Sequence, residues 1–135
     1  MFVETRLDNE YVALLAHPLV ASVTLVKRRV NRFDGYFRAR CVLVNGDFLE
    51  VALHISVVND RTVIDDYRYQ WMNHSQTILH RRWDNSPHHP ELSGFPDHCH
   101  MAQSVEPARP MDLAALLDEI HRLVDAQNVR EGYDE

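Results

Sequence analysis

Tyr36-Phe37-Arg38-Ala39-Arg40-Cys41-Val42-Leu43-Val44-Asn45-Gly46-Asp47-Phe48-Leu49-Glu50-Val51-Ala52-Leu53 reads as two strands and a turn, and the chain arranges itself around that hairpin. Residues suited to a pleated, half-buried surface flank Asn45-Gly46 on both sides. Asn-Gly suits a type I′ turn, whose two central residues both need positive φ. The same β-rich texture runs outward from Ala21 to Trp83. Five strands are predicted, at about 22–30, 36–44, 47–57, 62–71 and 76–83, with short connections that make an antiparallel meander. A two-residue turn sets Arg40 opposite Val51 and Arg38 opposite Leu53. One face then carries Arg38, Arg40, Leu49, Val51 and Leu53. The other carries Phe37, Ala39, Cys41, Leu43, Phe48, Glu50, Ala52 and His54. Neither is cleanly polar, so this pairing requires a β-bulge or cover on both faces.

Helices flank the meander. Asp8 can cap a short one running to Ala16, with Leu7, Tyr11, Leu14 and Leu15 on one side and Pro18 as its stop. Asp112 can cap a longer one, in which Leu113, Leu116, Leu117, Ile120, Leu123 and Val124 follow the spacing of an amphipathic stripe. Between Trp83 and that helix the periodicity vanishes for about 26 residues that include Pro87, Pro90, Pro96 and Pro107. Stretches of this length inside a domain are usually functional. The expectation is a single α+β domain over residues 1–128, ordered α-β(5)-α, with a His-rich loop at 84–110 and a frayed tail at 129–135.

The chain has 135 residues, enough for one domain and few for two. With 45% hydrophobic and 25% charged residues it reads as globular rather than disordered. Two cysteines, Cys41 and Cys99, in no CxxC arrangement give no disulfide framework and fit a reducing cytoplasm. The N-terminus lacks the apolar stretch of a signal peptide, and no run of about 18 apolar residues suggests a membrane span. Net charge is −6, which argues against a general nucleic-acid binder. The distribution is uneven. Residues 27–82 hold ten basic and six acidic side chains, a balance of +4, and residues 83–135 hold three and eleven, or −8. Lys27 is the only lysine, and arginine's planar fork suits phosphate better.

Nine histidines are many for this length, and His88, His89, His98 and His100 fall in one stretch beside Arg81, Arg82 and Asp84. Three readings compete for it. In acid–base catalysis, histidines with a pKa of about 6.5 move the protons of RNA cleavage, and arginines stabilise the phosphate. In a metal site, His98 and His100 share one side of an extended segment, and Asp84, His88 or His89 completes the ligand set. The spacing matches no zinc motif, so the expectation is no metal and no cofactor. In a structural role, the histidines hydrogen-bond a proline-fixed loop. His88 and His89 are adjacent, so one is expected to enter the site and the other to brace the loop. Tyr67, Tyr69 and Trp71 alternate along one strand and share a face. Packing is the commoner fate for such residues, and base stacking the alternative.

The run Tyr67-Arg68-Tyr69-Gln70-Trp71, then Arg82-Trp83-Asp84-Asn85-Ser86-Pro87-His88-His89-Pro90-Glu91, then Phe95-Pro96-Asp97-His98-Cys99-His100 resembles the TumE-like toxin family of prokaryotic toxin–antitoxin systems. Gly35–Arg40 and Asn45–Val51 are similar to that family's strand pair. The chain departs from the pattern at Asp97 and Cys99, where a histidine and a basic residue are expected. The resemblance implies a growth-inhibiting protein neutralised by a cognate antitoxin, often a helix-turn-helix protein. It brings no assigned active site. Taken with the resemblance, on which the step to RNA leans more than on the residues, the histidine-rich stretch is read as the site of a metal-independent ribonuclease. Asp84, His88, His89, His98 and His100 are its candidate catalytic residues. Arg38, Arg40, Arg81 and Arg82 are the candidate RNA-binding residues. The rivals are a non-enzymatic binding module and a metal-dependent hydrolase or nuclease.

Overall fold

A computed structural model describes residues 2–134. Helix α1 (Phe2–Ala16) leads into β1 (Val20–Val30), β2 (Asp34–Leu43), β3 (Phe48–Val58), β4 (Arg61–Met72) and β5 (Leu79–Asp84). Two short strands follow, β6 (His98–His100) and β7 (Val105–Pro107), before helix α2 (Leu113–Asp134). All seven strands form one antiparallel sheet in sequence order. The α+β class and the meander therefore stand, but there are seven strands rather than five. The two extra strands are three residues each, too short to leave a periodic signal, and they lie inside the stretch read as a loop. Helix α1 also begins well before Asp8. The backbone of α2 remains helical through Asp134, and Glu135 of the expected tail lies outside the described residues.

The expected hairpin register is off by one, and the turn explains it. Gly46 N–H donates to the Leu43 carbonyl (2.9 Å), and Leu43 N–H donates to the Asp47 carbonyl (2.8 Å). The loop is thus three residues, with Gly46 in the left-handed region at φ 92°, as three-residue hairpins use. Arg40 then pairs with Glu50 and Arg38 with Ala52. The two-residue turn with paired positive φ occurs one hairpin later, at Asn59 (52°) and Asp60 (62°).

The one-residue shift sorts the faces. Phe37, Ala39, Cys41, Leu43, Leu49, Val51, Leu53, Ile55, Tyr67, Tyr69, Trp71, Trp83 and Cys99 all join one core, with Leu7 and Leu14 of α1 and Leu113, Leu116, Leu117, Ile120 and Val124 of α2. Both helices therefore cover the same face. Close approach of α1 depends on Gly35, where a Cβ would stand 2.7 Å from Val3 Cγ1. Tyr67, Tyr69 and Trp71 are core residues whose polar ends reach Asp97 Oδ1 (2.6 Å), the Met111 carbonyl (2.9 Å) and Asp47 Oδ2 (2.9 Å). They are packed, and their rings are not available to stack on bases. Cys41 and Cys99 are buried free thiols. Among the described residues no helix is long and apolar enough to cross a membrane.

Candidate active site on the open sheet face

The face without helices carries the polar residues. Strand alternation puts Arg82 and Asp84 of β5 on it, and pairing with β6 sets Asp84 opposite His98 and Arg82 opposite His100. Two residues from each of two neighbouring strands thereby meet. Asp84 and His98 are nevertheless buried, at 4% and 2% exposure, because the segment between β5 and β6 folds back over them. His89 in that segment stands with its ring centroid 5.6 Å from that of His98 and 5.8 Å from that of His100. The rings of His98 and His100 are 4.7 Å apart, edge to face.

Asp84 is the centre of this cluster. Its Oδ1 accepts the Ser86 N–H (3.1 Å) and lies 2.8 Å from His98 Nε2. Its Oδ2 accepts Arg82 Nε–H (3.1 Å) and lies 3.7 Å from His100 Nε2. A carbonyl oxygen only accepts, so the 2.8 Å contact from His98 Nδ1 to the Pro96 carbonyl fixes the Nδ1 proton. Nε2 of the same ring is buried and has no hydrogen bond of acceptable geometry, despite its closeness to Asp84. Burial first, and the Arg82 charge second, hold the His100 pKa below its ordinary 6.5. An opposing pull from Asp84 is smaller.

Farther along the same face, Glu50 sits among three guanidinium groups: Arg38 at 3.4 Å, Arg40 at 3.4 Å and Arg68 at 3.5 Å. One carboxylate against three cations leaves a net positive patch. The register runs Arg38, Ala52, Arg68, Asp84, His98 across five neighbouring strands, a row of roughly 19 Å at about 4.8 Å per strand. A cleft of 330 Å³ lined by Tyr36, Ala52, His54, Asp66, Arg68 and Ser86 lies along this face. His54 on its wall is held by Asp65 (2.6 Å) and Asp34 (3.0 Å).

Of the candidate catalytic residues, Asp84, His89, His98 and His100 come together. His88 does not: it is exposed, and its backbone N–H closes a tight turn on the Ser86 carbonyl (2.7 Å). Of the candidate arginines, Arg38, Arg40 and Arg82 share the open face. Arg81, one residue from Arg82, necessarily points the other way and lies with Trp83, Cys99 and Glu119 on the helix side. The departures at Asp97 and Cys99 also fall away from the cluster, Asp97 under Tyr67 and Cys99 in the core. Sequence reasoning missed Arg68, Glu50 and Ser86 as neighbours of the site. The correct register would have revealed the first two, since they alternate in phase with Arg38 and Arg40.

The family model for toxin TumE matches residues 10–128. No curated protein and no solved structure matches the chain. The matched span takes in the second half of α1, the whole sheet, every residue of the histidine cluster and α2 as far as Asn128, and on that match the chain belongs to the TumE toxin family.

Proposed function

We propose that this toxin cleaves RNA by acid–base chemistry at the Asp84–His89–His98–His100 cluster, with the arginine-bearing sheet face as the RNA platform. One observation carries the reading: two histidines converge on a buried carboxylate, with a third packed against their rings, at the end of an open face bearing four arginines. In this reaction His100 Nε2 takes the proton of a ribose 2′-hydroxyl. The 2′-oxygen attacks phosphorus, the bond to the 5′-oxygen breaks, and protonated His89 donates to that leaving oxygen. The products are a 2′,3′-cyclic phosphate and a 5′-hydroxyl. Asp84 positions His98 and His100 and does not touch substrate. Arg82 neutralises charge gathering on the phosphate, and Arg38, Arg40 and Arg68 bind the neighbouring backbone.

The test is cleavage of RNA by purified protein in EDTA, with an otherwise identical DNA strand as comparison. The expected result is RNA cut and DNA intact, because deoxyribose lacks the attacking hydroxyl. His100→Ala should lower the rate by roughly 10²–10⁴-fold with the circular dichroism spectrum preserved. A folded protein that cuts no RNA with or without metal would leave a binding module as the surviving reading.

A further inference from the structure

We propose that Asp84, His98 Nε2 and His100 Nε2 also form a binding site for one divalent first-row transition ion, and that its occupation switches the acid–base site off. The geometry comes first. One ligand atom from each of the three residues lies within 4.8 Å of the others. Zinc bonds of about 2.0–2.1 Å at tetrahedral angles place ligand atoms about 3.3 Å apart. The two carboxylate oxygens of Asp84 lie on either side of that value, Oδ1 at 2.8 Å from His98 Nε2 and Oδ2 at 3.7 Å from His100 Nε2.

The hydrogen-bond pattern points the same way. Imidazole ligands usually donate their second ring nitrogen to a carbonyl or carboxylate, which fixes the tautomer and aims the free lone pair at the ion. His98 does this with the Pro96 carbonyl, leaving Nε2 buried, unsatisfied and facing a carboxylate. Buried polar atoms are rarely left so. A cation between Nε2 and Oδ1 satisfies both at once. Asp84 is itself braced, by Ser86 N–H and by Arg82, so the carboxylate is oriented before any ion arrives. Strand pairing holds His98 and His100 two residues apart on one face, and so preorganises the nitrogen pair. The cluster opens toward His89, whose side chain is 37% exposed and stands over both rings, leaving room for a fourth ligand from that residue or from water.

The regulatory half rests on the acid–base reading. A metal takes the same lone pair on His100 that would accept the 2′-hydroxyl proton, so the loaded protein cannot run that step. The experiment uses EDTA-stripped protein titrated with zinc chloride by calorimetry, and cobalt chloride followed by visible absorption. One zinc per chain is expected, together with the visible bands of tetrahedral or five-coordinate cobalt. His98→Ala and His100→Ala should each weaken zinc binding at least tenfold, whereas His74→Ala, remote from the cluster, should not. Stoichiometric zinc should stop RNA cleavage, and EDTA should restore it. Failure of the wild-type protein to bind zinc, or binding unchanged in both cluster variants, overturns the site and leaves the acid–base reading intact. Cleavage that EDTA abolishes and zinc restores overturns the switch and the acid–base reading together, while the site stands.

Discussion

His89 adopts φ 60°, a left-handed conformation uncommon for a non-glycine residue, and its ring packs against His98 and His100. Its neighbour His88 stays exposed. His89→Ala should therefore cut cleavage by about 10²-fold or more, whereas His88→Ala should stay within a factor of about two, as for ordinary surface changes. Parallel single-turnover assays of the two variants decide it, and equal losses would overturn the distinction. His54 sits in a separate electrostatic arrangement. Burial lowers its pKa, but hydrogen bonds and charge from Asp65 of β4 and Asp34 of β2 outweigh that and raise it above 6.5. Asp66, its register partner on β4, adds further negative charge nearby, and Arg29 reaches Asp34. The same contact holds Asp34 at about 2, below its ordinary 3.8, with the His54 hydrogen bond as the main cause. A raised histidine pKa stabilises the fold below the unfolded value and loses that contribution as pH climbs through the folded one. A lowered carboxylate pKa stabilises above its unfolded value and loses that contribution on acidification. Both contributions overlap between about pH 4 and 6.5. The melting temperature should accordingly fall from pH 6 to pH 8, and His54→Asn should flatten that slope. A slope unchanged in the variant would assign the dependence to other groups.

The two helices are joined by a buried carboxylate. Glu10 of α1, 7% exposed, accepts the Leu113 N–H that opens α2 (2.9 Å), beside the Asp112 cap on Ala115 N–H (2.9 Å). Removing it leaves a buried helix donor without a partner and strands Arg6, 3.6 Å away. Glu10→Ala should cost about 1–3 kcal/mol in urea denaturation, and Glu10→Gln, which keeps an acceptor, should recover much of it. No loss in the alanine variant would mean that water replaces the carboxylate. The α2 cap and its apolar stripe were legible, because a capping Asp followed by leucines at helical spacing is a local signal. The meander was legible for the same reason. Its register was not, since Asn45-Gly46 serves equally in a two-residue turn and at the end of a three-residue one. The choice flips which side chains meet helices and which meet solvent. Strands β6 and β7 were invisible because their stability comes from pairing with β5, a long-range contact that three residues cannot advertise. Most of the histidine cluster was legible, because His89, His98 and His100 fall with His88 and Asp84 in one short stretch of sequence. Its internal order was not, because the covering loop selects His89 over His88 through a backbone conformation that local sequence does not encode.

At the scale of the whole molecule the charge asymmetry acquires a geometry. Arg38, Arg40, Arg68 and Arg82 lie on the open face, while α2, with Asp118, Glu119 and Asp125, packs on the other side of the sheet. Membership of a toxin family implies a cognate antitoxin. An inhibitor of a protein that binds RNA through its arginines acts most directly by covering them, and an acidic segment competes with phosphate for the same guanidinium groups. The open face and the histidine cluster are therefore the expected antitoxin contact, with the acidic face of α2 left free. Arg38 and Arg40 keep 35% and 51% of their side chains exposed but also hold Glu50, so the reversed variant is compared with the wild type by circular dichroism before capture is measured. Arg38→Glu with Arg40→Glu should weaken capture of the co-encoded antitoxin at least tenfold, and raised salt should weaken the wild-type complex, since exposed charges are screened within about 10 Å at 0.1 M. Asp125→Lys, on the far side, should leave capture unchanged. Full binding by the double reversal with loss in the Asp125 variant would place neutralisation on α2, and the arginine-bearing face would then be free in the complex.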